Sequence, residues 1–281
     1  MIDDILHIFF PRTYTLGNGK VVKEKFNWAP YITIAVIIFS IFCAMATSVD
    51  IPRLIQRSDA FWDLIREMMP PNWSFWKDLQ KPMIDTIVMS VLGTVVGCLV
   101  ALPTSFYLSS NFELNNVYLV GHRGLLSLLR TLPTLVYAQL LSIVIGTGTL
   151  AGTVSIAIFT YTICVKMLYE QIETVDMGPY EALQSTGASR AKCMIKAIYP
   201  QIRGYFWSTV LYCFETNVRS AAILGYVGAG GIGVQINEQL TWRRYGNTGL
   251  MVLVLVITVV IIETISRELR KKLVQGWVAN N

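Results

Sequence analysis

Polar and apolar positions along this chain fall into long blocks. Trp28 to Thr47 contains no charged residue, and about 20 mostly apolar residues are enough for a helix to cross about 30 Å of hydrocarbon. Further apolar runs cover about 83–108, 124–145, 149–169, 205–227 and 248–266. The pattern predicts an all-α integral membrane protein with six transmembrane helices and both termini on one side. It divides the chain into a tail (1–27), a first transmembrane helix (28–47), an interfacial segment (48–81), a transmembrane domain (82–266) containing a polar loop (170–204), and a second tail (267–281). No small-residue cleavage site follows the first run, which therefore reads as an uncleaved anchor.

Two polar stretches have a pattern of their own. Phe61, Leu64, Ile65 and Met68 recur at helical spacing, and Pro70 and Pro71 end that pattern. With Trp62, Trp73 and Trp76 as belt residues, this predicts a helix lying on the membrane surface, a substrate-binding role being the other reading. In 170–204, Pro179 suits the first turn of a helix over Tyr180 to Thr186, and Gly187 suits a left-handed stop. Ser189 is placed to cap a second helix through Ile198, with Pro200 as its end.

Composition excludes whole classes. Of 281 residues, 53% are hydrophobic and 15% charged, against about 25% charged in soluble domains; mean hydropathy is +0.50. A soluble enzyme, a disordered regulator and a disulfide-stapled module do not fit. The net charge of +5 resolves into clusters: Lys20, Lys23 and Lys25; Arg190, Lys192, Lys196 and Arg203; Arg267, Arg270, Lys271 and Lys272. All share one face in a six-span layout, so that face, with both termini, is cytoplasmic by the positive-inside rule, and no nucleic-acid partner is implied. The basic residues of 48–81 are balanced by Asp50, Asp59, Asp63, Glu67 and Asp78. Four cysteines lie in apolar runs and Cys193 sits alone in a polar loop; His7 and His122 are far apart. Neither a disulfide framework nor a metal site is indicated.

Glu215 and Arg219 lie inside the fifth run, where charge is costly unless paired or facing water. Their i, i+4 spacing permits an intrahelical pair. Either they neutralise each other or brace the partner subunit, or Arg219, aided by Asn217, lends positive potential to an anion path. Arg130 is a second path candidate, its other reading being a side chain that snorkels to the interface. The segment Gly228-Ala229-Gly230-Gly231-Ile232-Gly233 fits G-x-G-x-x-G, but it follows a membrane helix and not a strand, so close helix packing or an unwound path lining is the better reading.

These residues also carry a resemblance. Glu181, Ala182, Gly187 and Pro200 match in register the EAA loop of ABC-importer permeases (Glu-Ala-Ala, three residues, Gly, nine residues, Ile, one residue, Leu-Pro), with Leu183, Ala197 and Tyr199 as departures. Phe214 to Ser220 and Leu224 to Gly233, including Gly225, are similar to the fifth span of phosphonate/phosphite importer permeases, as is Pro70 to Asp78 to their outer segment. The resemblance implies the type I importer permease fold in a bacterial inner membrane. It implies a homodimer working with two ATP-binding subunits and an extracytoplasmic substrate-binding protein. ATP and Mg would be used by the partner, since the chain has no G-x-x-x-x-G-K-[ST] loop and no cofactor of its own is expected. It further implies that the helix from Tyr180 docks in the ATPase, Glu181 giving a charged or capping contact, Ala182 and Leu183 an apolar knob, and Gly187 the turn. A methionine-type importer permease is the near alternative; a channel or membrane enzyme is the alternative of another class, against which stands the lack of a nucleophile–base pair.

Overall fold

The computed structural model describes residues 13–17, 19–23, 28–47, 51–112 and 116–278; His7 and Lys25 lie outside them. The chain divides between Asp63 and Leu64 into two units. In the first, β1 (Thr13–Thr15) and β2 (Val21–Lys23) form an antiparallel hairpin with Tyr14 opposite Val22. This small hairpin is the departure from an all-α chain among the described residues. α1 (Ala29–Ala46) forms where the first apolar run predicts it, with Pro30 in its first turn and Thr47 closing its last. None of its residues is buried within the protein and its mean hydropathy is 2.2, as expected of a helix that lipid covers. α2 (Ile51–Gln56) and α3 (Ser58–Met68) follow.

In the second unit α3 ends at Met68, before Pro70 and Pro71. A short 3-10 turn, Trp73–Phe75, is capped by the Asn72 side chain, which accepts from the Ser74 N–H at 3.2 Å. Then come α4 (Trp76–Tyr107), α5 (Asn116–Thr131), α6 (Thr134–Ile145) and α7 (Thr149–Ile172). α8 (Gly178–Ser185) and α9 (Arg190–Cys193) lead through a π-helical turn (Met194–Ile198) into α10 (Tyr199–Leu224). A 3-10 turn (Gly225–Val227), α11 (Ile232–Thr241) and α12 (Tyr245–Val278) complete the chain.

α4, α7 and α10 form the centre. A Cβ on Gly93 would stand 2.5 Å from Ile156 Cγ2, and one on Gly97 2.7 Å from the Ala157 carbonyl. Lacking them, α4 and α7 approach backbone to backbone. That close contact matters in lipid, which is as apolar as the side chains and supplies no hydrophobic drive between helices. Cys98, Cys164 and Cys213 come together with Val165, Leu168 and Phe206 in one part of this core; Met89, Ile156 and Leu224 fill another. α12 adds Leu250 and Met251 against Leu79 and Ile232.

The third apolar run does not form one straight span. It folds as α5 and α6, bent by 87° at Leu132–Pro133. Pro133 lacks an N–H and drives the residue before it out of the helical region, which accounts for the break. Together the two arms still carry the chain from one end of the bundle to the other. Arg123 of α5 donates from Nε to the Leu108 carbonyl at 3.0 Å, at the finish of α4, whereas Gly148, just past α6, donates to Gly228 O at 2.9 Å. By length and composition four helices among the described residues suffice to cross a membrane, or five with the bent pair taken as one. α10 is not among them, because Glu215, Asn217 and Arg219 lower its hydropathy.

Candidate functional site

At the end where α4 and α7 finish, the expected helix pair is present with altered boundaries. Pro179 sits in the first turn of α8, and Gly187, at φ +82°, stops it. Ser189 stands at the N-cap of α9 in extended backbone but makes no side-chain cap bond; its carbonyl accepts from the Cys193 N–H at 3.0 Å. Pro200 does not end this helix. It lies in the first turn of α10, where a missing N–H costs nothing. The chain from Arg190 to Leu224 is therefore one near-continuous helical path through the π-helical turn, and it ties the pair directly to the fifth apolar run.

The face that α8 turns inward also differs from expectation. Tyr180 is buried, its ring 5.0 Å from that of Phe112, and Leu183 packs into the same cluster as Ile172, Ile198 and Ile202. Tyr180 and Leu183 are three apart and so share a face. Of the expected outward knob, Ala182 is exposed beside exposed Glu181, and Leu183 is not. Cys193, which stands alone in the polar loop of the sequence, is fully buried beneath the pair, its thiol donating to the Ala188 carbonyl at 3.7 Å.

A polar clasp that sequence reasoning missed fastens this end. Arg123 pairs with Glu173 and lies 4.3 Å over the Tyr169 ring, while Ser110 N–H donates to the Glu173 carboxylate at 2.9 Å. Partial burial works against the Glu173 charge, yet the Ser110 N–H and the Arg123 guanidinium outweigh it and hold the carboxyl below the ordinary glutamate range. The only signal in the sequence was an Arg and a Glu flanking apolar runs, which any solvated pair would give.

At the opposite end lies the glycine-rich segment. A Cβ on Gly233 would stand 2.0 Å from the Ala222 carbonyl, and one on Gly225 2.2 Å from the Val234 nitrogen; here the backbones of α10 and α11 touch. Gly228, Gly230 and Gly231 have φ of +76°, +82° and +73°, a region that other residues enter only with strain. Ile232 N–H donates at 2.8 Å to the Thr86 hydroxyl, which donates in turn to Pro82 O at 2.8 Å. The glycines allow close packing and form an irregular turn that lines a cavity of about 560 Å³. Lys81 and Asp85 of α4, Gly148 and Thr149 before and in α7, Gly230 and Gln235 are among its walls.

The deep polar residues separate. Asn217 is buried and faces the seam between α4 and α7, donating both amide hydrogens, to Thr94 Oγ1 at 2.8 Å and Thr160 Oγ1 at 2.7 Å. Glu215 pairs with Arg219 as the spacing predicts, and also accepts from Arg270 of α12 at 2.6 Å; Arg219 reaches Glu263 at 3.2 Å. Arg130 is half-buried in the last turn of α5, where the helix dipole favours a cation, and no hydrogen bond or ion pair joins it to the others. Among the described residues no group of His, Cys, Asp and Glu could hold a metal ion.

Residues 93–277 match the family described as the binding-protein-dependent transport system inner membrane component. The chain belongs to that family. As an importer permease subunit it is a transport component of a bacterial inner membrane, and membership implies an ATPase and a substrate-binding protein as partners. The permease is 29% identical over 229 residues to the phosphite transport system permease protein PtxC of Stutzerimonas stutzeri, covering 82% of this chain and 83% of that one. It is 30% identical over 212 residues to the phosphate-import permease protein PhnE of Mycolicibacterium smegmatis, covering 75% of this chain and 40% of the relative. Its fold is that of a chain in the inward-facing MetNI methionine ABC transporter, with TM-score 0.61 at 19% identity over 72% of the permease and 99% of that chain.

Proposed function

We propose that this permease forms the membrane path for a phosphonate- or phosphite-like phosphorus oxyanion, as a homodimer with two ATP-binding subunits and an extracytoplasmic binding protein. Relatives named for phosphite and phosphate import support the substrate class. The lysine and arginine clusters support a cytoplasmic location for both termini and for the α8–α9 pair.

The observation that carries the coupling role is the form of α8. One face is anchored by Tyr180 and Leu183, and the other presents Glu181 and Ala182 to the exterior. Force applied to that exposed face passes through the anchored core and the π-helical turn into α10. ATP and Mg would be held by the partner; the chain's own residues supply the contact that responds to its closure. Two states with different contacts at α8 are what alternating access requires.

Reconstitution with the partner ATPase and binding protein tests this reading. Phosphonate is expected to stimulate ATP hydrolysis and uptake, and Glu181→Lys and Gly187→Pro to abolish that stimulation, since proline cannot adopt the φ of Gly187. Stimulation that survives both substitutions would remove the coupling role.

A further inference from the structure

We propose that the groove where the end of α4 meets α9 and the π-helical turn holds an anionic phospholipid, its upper acyl chain in the groove and its phosphate among Arg190, Lys192 and Lys196. The inference goes beyond the transport role and does not depend on which substrate is carried.

The groove encloses about 240 Å³, with walls from Pro103, Phe106 and Tyr107 of α4 and from Ala191, Met194 and Ile195. That is less than the roughly 300–1,000 Å³ of sites that enclose a whole small ligand, so it takes part of a larger molecule. Its depth identifies what surrounds it. No charged residue lies between Asp85 and Tyr107, and about 20 apolar residues span the hydrocarbon. The groove therefore stands where hydrocarbon gives way to headgroups. Val96, Leu99, Val100, Pro103 and Tyr107 are exposed at helical spacing, so the face that α4 turns outward in the membrane runs without a break into the groove. A soluble subunit stops short of that face, whereas an acyl chain lying along α4 reaches the groove directly.

The polar half of the ligand follows from the charges. Arg190 and Lys192 flank Ala191 in the chain, and Lys196 follows Ile195; all three cations are exposed. Among the described residues none of their side chains has an ion pair or a hydrogen bond, and no acidic residue lines the groove. Other cations at this end are occupied, Arg123 by Glu173 and Lys166 by Glu170. Three cations free to meet a ligand, beside an apolar slot at the membrane boundary, match a phosphodiester joined to acyl chains. Each basic residue so placed adds to the attraction of an anionic headgroup. A zwitterionic phospholipid would fill the slot equally well but bring its own cation toward the other three.

The test uses the permease with its ATPase subunits in nanodiscs and two photoactivatable lipids, phosphatidylglycerol and phosphatidylcholine, each with a diazirine in the upper acyl chain. Phosphatidylglycerol is expected to label the peptides holding 103–107 and 191–195 about tenfold more than phosphatidylcholine does. Arg190→Gln, Lys192→Gln and Lys196→Gln combined should bring its label down to the phosphatidylcholine level. Lys192→Arg with Lys196→Arg, which keeps the charges, should retain the preference. Equal or absent labelling of these peptides by the two lipids in wild type, or a preference that survives the triple replacement, overturns the proposal. A photoreactive residue placed at Ile195 should capture lipid. Capture of an ATPase subunit or of a second permease copy instead would give the groove to a protein and overturn the proposal as well.

Discussion

Arg270, far along α12, donates to the Glu215 carboxylate of α10 at 2.6 Å, so a residue of the presumed tail closes on a residue of the fifth apolar run. Arg219 grips the other oxygen of Glu215 and extends the chain of charges to Glu263. Glu215 is the most buried of the four, with its side chain 9% exposed. Glu215→Gln should therefore leave two arginines without their shared anion and lower stability by about 2 kcal/mol, a figure reduced because the arginines are partly solvated. Thermal denaturation in detergent measures it. Adding Arg270→Gln should return part of the loss; losses that merely add would show that the two residues do not interact.

Asn217 ties three helices with two hydrogen bonds. Asn217→Ala removes both and opens a gap at the α4–α7 seam, at an expected cost of about 2–3 kcal/mol. The readout is again the unfolding midpoint, and an unchanged midpoint would mean that the seam holds without this tie. Uptake at low temperature, where the protein remains folded, should stay near normal, because this side chain faces protein on every side.

The glycines should divide sharply. A methyl at Gly233 would meet the Ala222 carbonyl at 2.0 Å, whereas one at Gly187 meets nothing within 4 Å. Gly233→Ala should cut the yield of monodisperse protein severely, since backbone must move to admit it. Gly187→Ala should cost only the strain of its positive φ, about 1–2 kcal/mol. Size-exclusion profiles of the two variants side by side decide the matter; equal profiles would contradict the packing described.

Although α4 starts at Trp76 and α12 runs to Val278, well outside the runs 83–108 and 248–266, the places of α1, α4, α7 and α12 were legible because uninterrupted apolar runs have one solution in lipid. So was the α8–Gly187 stop, since proline and glycine constrain backbone locally. What the sequence did not reveal depends on contacts between distant segments. Nothing local tells that Asn217 faces Thr94 and Thr160, that Arg270 meets Glu215, or that Leu183 points inward. Pro200 was legible as a break but not as a beginning, because the same missing N–H suits either side of a helix boundary.

Glu173 gives the structure an acid limit. Its carboxyl is held below the ordinary range, so its contribution to stability is complete above the unfolded value, about 4.3, and is lost as pH falls through the lower folded value. Unfolding midpoints should decline as pH drops from about 5 toward 3, and Glu173→Gln should flatten that part of the curve while lowering the plateau at neutral pH. A wild-type slope in the variant would assign the acid loss elsewhere.

The elbow at Leu132–Pro133 changes what lipid meets. The 12 residues of α6 reach about 18 Å, little more than half the hydrocarbon thickness. α5 turns away at 87° with Val117, Val120 and Leu128 turned outward. Acyl chains beside this pair face a short wall roofed by a transverse helix, so the membrane must thin there or fold its lipids over the elbow. The protein thus carries a local preference for bilayer thickness on one flank, and its activity should respond to acyl-chain length even where no lipid headgroup is recognised.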